Sequence, residues 1–360
     1  MEILENISLK PYTSMYVGGP ARYFATASSA SELVEALRFA KDRSLEVFLL
    51  GRGSNIIFSD KGFSGLVIKV EIKGKKLVEE TEEHVLYEVG AGETWDDFVK
   101  FSVERGLYGI ENMSHVPGSV GASVIQNIGC YGQEVSETVD RVKVLDRALL
   151  KEVLLENSDL KFSYRKSLLN DSGEEKNKYV VTSVIFRLKK HGKLNLQYGD
   201  IEKYFANNKE IIPSLSTLRT AIIGIRNSKF PFPDSPKNGT CGSFWKVDVV
   251  DEESYLRIAG VLKATGFGDK AEEMINKMNV FTIAQGLKVT AALFIDVLGY
   301  KGKTHGGAKI LETHAGIINN YTGTASAEDV IGLSKEIENK VWSVFGVKLK
   351  TEPELVGDFN

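Results

Sequence analysis

At 360 residues, 42% of them hydrophobic, the chain is long enough for two or three domains with buried cores, which excludes a disordered polymer. Its 45 Lys and Arg against 48 Asp and Glu leave a formal charge of -3, with no strong basic run to compete for phosphate backbones, so nucleic acid is not an expected partner. Apolar runs such as YVVTSVIF and LFIDVLGY break well before the roughly 18 residues of a membrane-spanning helix, and MEILENISLK lacks the basic head and greasy core of a signal peptide; a soluble cytoplasmic protein is expected.

In chain order, ASELVEALRFAKDRS places Ala30, Leu33, Val34, Leu37 and Ala40 at helical spacing behind a serine-rich start that can cap it. The apolar run Val47 to Leu50 reads as a strand that ends in the glycine turn GRGSN, a place where backbone amides can face a ligand. GLVIKV, KLVEE and VLYEVGAG are predicted strands, and WDDFVKFSVERG a helix of about three turns. VDRVKVLDR, KEVLLEN and NKYVVTSVIFRLKK read as strands of a mostly antiparallel sheet.

A boundary is predicted after Tyr198-Gly199-Asp200, where the long helical connection IEKYFANNKEIIPSLSTLRTAIIGIRNSK begins; Pro231 and Pro233 then stop any helix. EESYLRIAGVLKATG and QGLKVTAALFIDVLG read as helices, and SAEDVIGLSKEIENKVWSVFG is the clearest amphipathic one, starting at Ser326. The expected division is residues 1–200 as one domain in two lobes (about 1–68 and 69–200), 201–348 as a linker and second domain, and 349–360 as a C-terminal segment.

Two stretches crowd glycine beside polar residues: GRGSN (Gly51 to Asn55) and HVPGSVGASVIQNIGCYG (His115 to Gly132). Diphosphate oxygens need several converging amide donors, and glycine allows the sharp turns and close backbone approach this requires. Neither stretch is GxGxxG, so a Rossmann nucleotide site is not expected, and a tight loop remains an open reading for each.

The stretch NGTCGSFWK sets Ser243 between a glycine and two large rings, as a turn residue or as a positioned proton donor. FSYRKS places Tyr164 beside Arg165, whose planar fork would fit a carboxylate if it is not a plain surface charge. Tyr198 stands in LQYGD and Lys229 ends IRNSK. TEPELVG holds Glu352 and Glu354 around Pro353, two residues apart and so on one side of an extended segment. The 5 histidines and 2 cysteines, Cys130 and Cys241, form no metal-ligand or disulfide pattern, so no metal is expected and the thiols read as packing residues.

Taken together and in order, TSMYVGGPA, LGRGSNIIFSDKGFSGLVI, NMSHVPGSVGASVIQNIGCYGQE, FSYRKS, LQYGD, IRNSKFPFPD, GTCGSFWK, TAALFIDVLGYKG, THGGAKILETHAGIINN and TEPEL resemble the bacterial UDP-N-acetylenolpyruvoylglucosamine reductases over nearly the whole chain. The resemblance implies an α+β fold: an FAD-binding domain of the vanillyl-alcohol-oxidase (PCMH) type with two lobes, followed by a smaller α+β substrate-binding domain. It implies FAD and NADPH as cofactors, and a UDP-sugar enolpyruvyl ether reduced to the muramate product.

Site residues carried over by the resemblance are Ser243 as proton donor to the enolpyruvyl carbon, Arg165 as holder of the substrate carboxylate, and Glu354 as the C-terminal catalytic glutamate. Cofactor contacts are implied for Gly51, Arg52, Gly53, Ser54, Asn55, Pro117, Gly118, Ser119, Gly121, Ala122, Gln126, Asn127 and Gly129. Substrate contacts are implied for Tyr164, Tyr198, Lys229 and Lys246. Three departures stand out: Ala122 replaces a glycine, Val247 replaces an asparagine after the lysine, and Val280 and Phe281 fall where the family form has a tyrosine. Lys288 or Trp245 is expected to make up the lost contacts. Two rival readings stay open on sequence: an FAD oxidase of the same fold, with Cys130 as a possible flavin tether, and a UDP-sugar-binding protein that has lost catalysis.

Overall fold

The computed structural model describes residues 1–170, 177–247, 252–264, 282–283, 286–287 and 289–359. The chain gathers into two compact units. The first comprises Met1–Ile7, Ala21–Gly53 and Ser64–Ser228; the second comprises Ser8–Pro20, Ser54–Phe63 and Lys229–Asn360. Helix Leu215–Lys229 therefore counts with the first unit up to Ser228, and two short early segments count with the second.

The first unit carries two sheets. One has the strand order Ile3–Ser8, Pro20–Ala27, Phe63–Val70, Val47–Leu50, with the last two parallel in the register Val47 to Leu66 and Leu50 to Lys69. Helix Ala30–Asp42 starts where the sequence predicts, because the Ser29 hydroxyl accepts from the Glu32 N–H at 3.2 Å. The other is a five-stranded antiparallel sheet in the order Lys151–Glu156, Val139–Asp146, Tyr179–Lys189, His84–Gly90, Lys75–Glu80. Its central strand Tyr179–Lys189 is buried from Val180 to Phe186, which explains why it reads as a continuous apolar run rather than an alternating one. Helix Trp95–Glu104 packs its aromatic face here, with Phe98 and Phe186 ring centroids 4.8 Å apart and Trp95 fully buried.

The expected helical connection after residue 198 is two helices, Gly199–Asn207 and Leu215–Lys229. A bidentate ion pair clamps the second one: the Arg219 guanidinium donates to both Asp96 carboxylate oxygens at 2.6 and 2.8 Å, and both side chains are largely buried. The Arg226 Nε donates to the His115 carbonyl at 3.0 Å, and the His115 ring bonds Asn227 at 2.9 Å.

The second unit is built on a four-stranded antiparallel sheet, in the order Gly239–Ser243, Ile317–Asn320, Ala308–Ile310, Thr304–His305, with helix Ala327–Phe345 contributing most of its apolar face to the core. That helix begins as predicted with a capping box: Ser326 Oγ accepts from the Asp329 N–H at 2.9 Å and Asp329 returns a bond to the Ser326 N–H. Asp60 adds a second cap, its two oxygens accepting from the Ala327 and Glu328 N–H groups at 2.9 Å each.

One expectation is corrected. The helix predicted over QGLKVTAALFIDVLG is only Ala291–Val297; Gly286–Leu287 instead pairs with Thr282–Ile283. Thr290 precedes the helix in extended conformation, and the β-branched Val289-Thr290 pair disfavours carrying the helix further back. Among the described residues, no helix is long and apolar enough to cross a membrane, and no group of three His, Cys, Asp or Glu could hold a metal ion.

Two predictions follow from this packing. Gly62 adopts φ +83° and a Cβ there would lie 1.9 Å from the Pro20 carbonyl oxygen, so Gly62→Ala should lower stability by at least about 2 kcal/mol in urea unfolding. Burial pushes the Asp96 carboxyl up, but the Arg219 guanidinium and the His115 N–H outweigh it and hold it below the usual carboxylate range. The pair's contribution is therefore complete at neutral pH and fades as pH falls through that lowered value; Arg219→Met should cost on the order of 2 kcal/mol at pH 7 and clearly less at pH values below the usual carboxylate range.

Candidate functional site

The two glycine stretches meet. A Cβ on Gly51 would lie 2.6 Å from Ser119 Oγ and 3.7 Å from the Ala122 methyl, so the end of strand Val47–Leu50 runs directly against the PGSVGA turn. Gly121 is needed for the next approach: a Cβ there would lie 2.7 Å from the Ala91 methyl, and its N–H bonds the Ala91 carbonyl at 2.8 Å. Ala122 lies within the short helix Val120–Ile125, capped by Ser119, so the methyl that replaces a family glycine sits on ordinary helical backbone.

This cradle fits a diphosphate by its donors. Among the described residues, none accepts a hydrogen bond from the N–H groups of Arg52, Gly53, Gly118 or Ser119, although Gly53, Gly118 and Ser119 are buried. Buried N–H groups are normally paired, and these three without an acceptor, with the N–H of the exposed Arg52 beside them and glycines at φ +62° (Gly53) and +137° (Gly118), suit anionic oxygens from a ligand. Pro117 adds no donor and stiffens the turn.

The QNIGC segment is placed differently from expectation. Asn127 is buried, and its side chain is spent inside the protein: Nδ2 donates to Glu134 at 2.9 Å and to the Ser163 carbonyl at 3.1 Å, while Oδ1 accepts from the Ser136 N–H. Its work is to hold the loop that carries Tyr164 and Arg165. Gln126, half-buried, ends the short helix, and Gly129 lends its carbonyl to Arg165.

Arg165 occupies the second corner of a tight turn closed by reciprocal Ser163 and Lys166 bonds of 3.0 Å. Its φ is +56°, a left-handed conformation that glycine or asparagine would take with less strain. The guanidinium donates to the Gly129 carbonyl at 2.8 Å and the Asn127 carbonyl at 3.4 Å, and lies 5.2 Å from the exposed Tyr164 ring. His115, Asn127, Tyr131, Leu150 and Lys161 share the left-handed backbone, so with Arg165 six such residues fall between positions 115 and 165 among the described residues.

Tyr198 caps helix Gly199–Asn207 and packs edge-on against Tyr131 at 5.1 Å. Burial, then the Asp200 carboxylate and the Cys130 thiol, pushes the Tyr198 hydroxyl above its usual range; burial pushes Tyr131 up to about 12. Arg226 is a residue that the sequence reading passed over although it lies in IRNSK. Its charge and that of Arg165 both act on Cys130, which signals two guanidiniums around one turn. The Cys130 thiol itself donates to the Asn112 carbonyl at 3.3 Å, and burial pushes it up to about 11, leaving a protonated, weakly nucleophilic sulfur in place of a ready flavin tether.

In the second unit, Ser243 ends strand Gly239–Ser243 with its side chain exposed. Gly242 at φ +73° and a register shift between Thr240 and Ser243 turn the strand end outward, as a bulge does. The two residues that follow are fixed by burial: Phe244 is fully buried, its N–H bonding the Gly316 carbonyl at 2.8 Å, and Trp245 is 4% exposed. Trp245 Nε1 donates to Ser334 and Glu338 at 3.0 Å each, so this indole is a core anchor and not the substitute ligand contact expected of it. Lys288, Val280 and Phe281 lie outside the described residues.

Lys246 is exposed on strand Trp245–Val247, and Val247 is half-buried opposite Leu349. Lys229 is half-buried; its carbonyl accepts from the Thr313 hydroxyl, next to His314. Burial first, then the Lys229 charge, holds the His314 imidazole below its usual pKa, and its Nδ1 accepts from the Gly316 N–H at 3.2 Å.

Glu352 and Glu354 do not share one strand. Leu349–Thr351 pairs antiparallel with Trp245–Val247, and after the buried Pro353 the chain changes partner, Glu354–Val356 pairing parallel with Ile56–Phe58. The Glu352 N–H bonds the Phe244 carbonyl at 2.9 Å, the Asn55 side-chain amide bonds the Glu352 carbonyl at 3.2 Å, and the Glu354 N–H bonds the Asn55 carbonyl at 3.0 Å. Glu354 itself is exposed.

A family model described as an FAD binding domain matches residues 21–148, and one described as the UDP-N-acetylenolpyruvoylglucosamine reductase C-terminal domain matches residues 234–356. The UDP-N-acetylenolpyruvoylglucosamine reductase of Flavobacterium johnsoniae is 33% identical over 357 residues, covering 99% of this chain and 100% of that protein. The enzyme of the same name from Pseudomonas aeruginosa is 32% identical over 358 residues, covering 99% of each. The crystal structure of the Thermus caldophilus reductase shares the fold, with a TM-score of 0.63 at 23% identity over 99% of this chain and 98% of that one. The fold is α+β, an FAD-binding domain followed by a separate C-terminal domain. Full-length identity of this order, carried through both matched domains, means that the chain belongs to the UDP-N-acetylenolpyruvoylglucosamine reductase family.

Proposed function

We propose that the protein reduces UDP-N-acetyl-3-O-(1-carboxyvinyl)-glucosamine to UDP-N-acetylmuramate, with FAD as resident cofactor and NADPH as electron source. The observation that carries this reading is the family membership over the whole length, joined to a glycine cradle whose unaccepted N–H groups suit a diphosphate. When bound, the flavin supplies hydride chemistry: it takes a hydride from the nicotinamide and delivers one to the β carbon of the enolpyruvyl group. Gly51, Arg52, Gly53, Pro117, Gly118, Ser119, Gly121 and Ala122 would hold the cofactor, with Ser54, Asn55, Gln126 and Gly129 as flanking contacts.

Hydride arrival at the β carbon places negative charge on the α carbon and its carboxylate. Arg165 would hold that carboxylate, and the strained turn that presents it, with two backbone carbonyls fixing the guanidinium, leaves little reorganisation for the moment of reaction. Ser243 would protonate the α carbon from an exposed hydroxyl whose backbone is pinned by two buried aromatic neighbours. A serine is a weak acid, so its alkoxide needs a nearby cation such as Lys246, and its proton must be replaced through Glu354 or water. Tyr164, Tyr198 and Lys229 would contact the substrate's carboxylate and phosphate regions. Retention of Ser243, Arg165 and Glu354 favours a working enzyme over a UDP-sugar-binding protein without catalysis.

The test separates the two half-reactions under anaerobic conditions. In Ser243→Ala, NADPH should still bleach the flavin at the wild-type rate, while reoxidation by the enolpyruvyl sugar slows by more than ~100-fold. Equal slowing of both steps would remove Ser243 from the proton-transfer role.

A further inference from the structure

The C-terminal acid is tied to the last residue of the GRGSN stretch. Asn55 closes the GRGSN loop and makes both bonds that flank Pro353: its side-chain amide donates to the Glu352 carbonyl at 3.2 Å, and its own carbonyl accepts from the Glu354 N–H at 3.0 Å. Proline has no N–H, so the polar backbone of the step from Glu352 to Glu354 is accounted for by Phe244 on one side and Asn55 on the other. The following pairing is short: Glu354–Val356 against Ile56–Phe58, three residues of parallel ladder, extended by the Ser59 N–H to Val356 carbonyl bond of 2.9 Å and the Lys61 to Asp358 ion pair of 2.7 Å. A parallel ladder of this length contributes little by itself, so the placement of Glu354 depends on where residue 55 is held.

Residue 55 is in turn the end of a loop whose preceding N–H groups, Arg52, Gly53 and Ser54, have no acceptor among the described residues. We infer that Asn55 is a positioning residue that couples cofactor binding to the active site: anionic oxygens bound by the Gly51–Asn55 loop fix the Asn55 carbonyl and amide, and these fix the register of Glu354. This rests on the FAD reading above and deepens it. Without the cofactor, the loop's donors have only water, the Asn55 peptide is free to reorient, and the segment 352–358 loses the two bonds that flank Pro353. The device would keep the catalytic carboxylate in place only when the flavin is there to be used.

Backbone hydrogen exchange followed by mass spectrometry tests this on the full-length chain, as purified with FAD and after FAD removal, with FAD content read independently by visible absorbance. Peptides spanning residues 352–358 should exchange at least about tenfold more slowly with FAD bound, while peptides of helix Ala327–Phe345 in the same unit change little. Asn55→Ala and Asn55→Asp, each saturated with FAD as judged by absorbance, keep the main-chain carbonyl but lose the amide donor, so each should lose part of that protection. FAD binding that leaves exchange at 352–358 unchanged in the wild type would overturn the coupling. Failure to bind FAD at all would instead overturn the functional reading on which it rests, so the two failures are distinguishable.

Discussion

The second unit is organised around the change of partner at Pro353. On one side of that residue the C-terminal chain pairs with the strand that follows Ser243; on the other it pairs with the strand that follows the GRGSN loop. Glu352 is the bridge, its N–H on the Phe244 carbonyl and its carbonyl on the Asn55 amide. Because each of these bonds is to main chain or to a half-buried loop end, the positions of Ser243 and Glu354 follow from backbone geometry rather than from long flexible side chains. The surrounding anchors serve the same end: the buried Phe244 and Trp245 set the serine strand, and Asp60 ties the early segment 54–63 to the start of helix Ala327–Phe345.

The first unit solves a different problem, that of presenting backbone donors and a guanidinium from loops. Gly51 and Gly121 are where they are because a methyl would collide with Ser119 or Ala91, and the close approach brings two donor-rich turns side by side. Arg165 is held in a left-handed turn by the carbonyls of Gly129 and Asn127, with Asn127 itself locked by Glu134 and Ser163. Left-handed non-glycine residues carry a local cost of order 1–3 kcal/mol each, and such costs persist where the surroundings over-determine the conformation. Here the surroundings are visible: a buried asparagine, reciprocal turn bonds and an aromatic pair.

Much of this was legible in the sequence because local chemistry announced it. Ser29 and Ser326 cap the helices they precede, the apolar run at 179–189 is the central strand of its sheet, and the glycine crowding at 51–55 and 117–122 marks donor-bearing turns. What could not be read were relations between distant segments. Nothing local separates Asn127, a structural lock, from Gln126 beside it; nothing in SFWK shows that the Trp245 N–H is consumed by Ser334 and Glu338. Arg226 was visible in IRNSK but looked like any helix-surface arginine until the His115 carbonyl and the Cys130 thiol appeared near it. The two glutamates of TEPEL seemed to share one extended face, whereas the proline between them is the point at which the chain exchanges one sheet for another.

The C-terminal crossing is expected to set Ser243 and Glu354 on the same reacting group. A crystal structure of the FAD-loaded protein with the enolpyruvyl UDP-sugar measures this most directly. The expected result is the Ser243 hydroxyl in contact with the α carbon, the Glu354 carboxylate at that same end of the substrate, and the Asn55 bonds to residues 352 and 354 intact. A bound substrate whose α carbon lies out of reach of Ser243, with Glu354 turned to solvent, would contradict it.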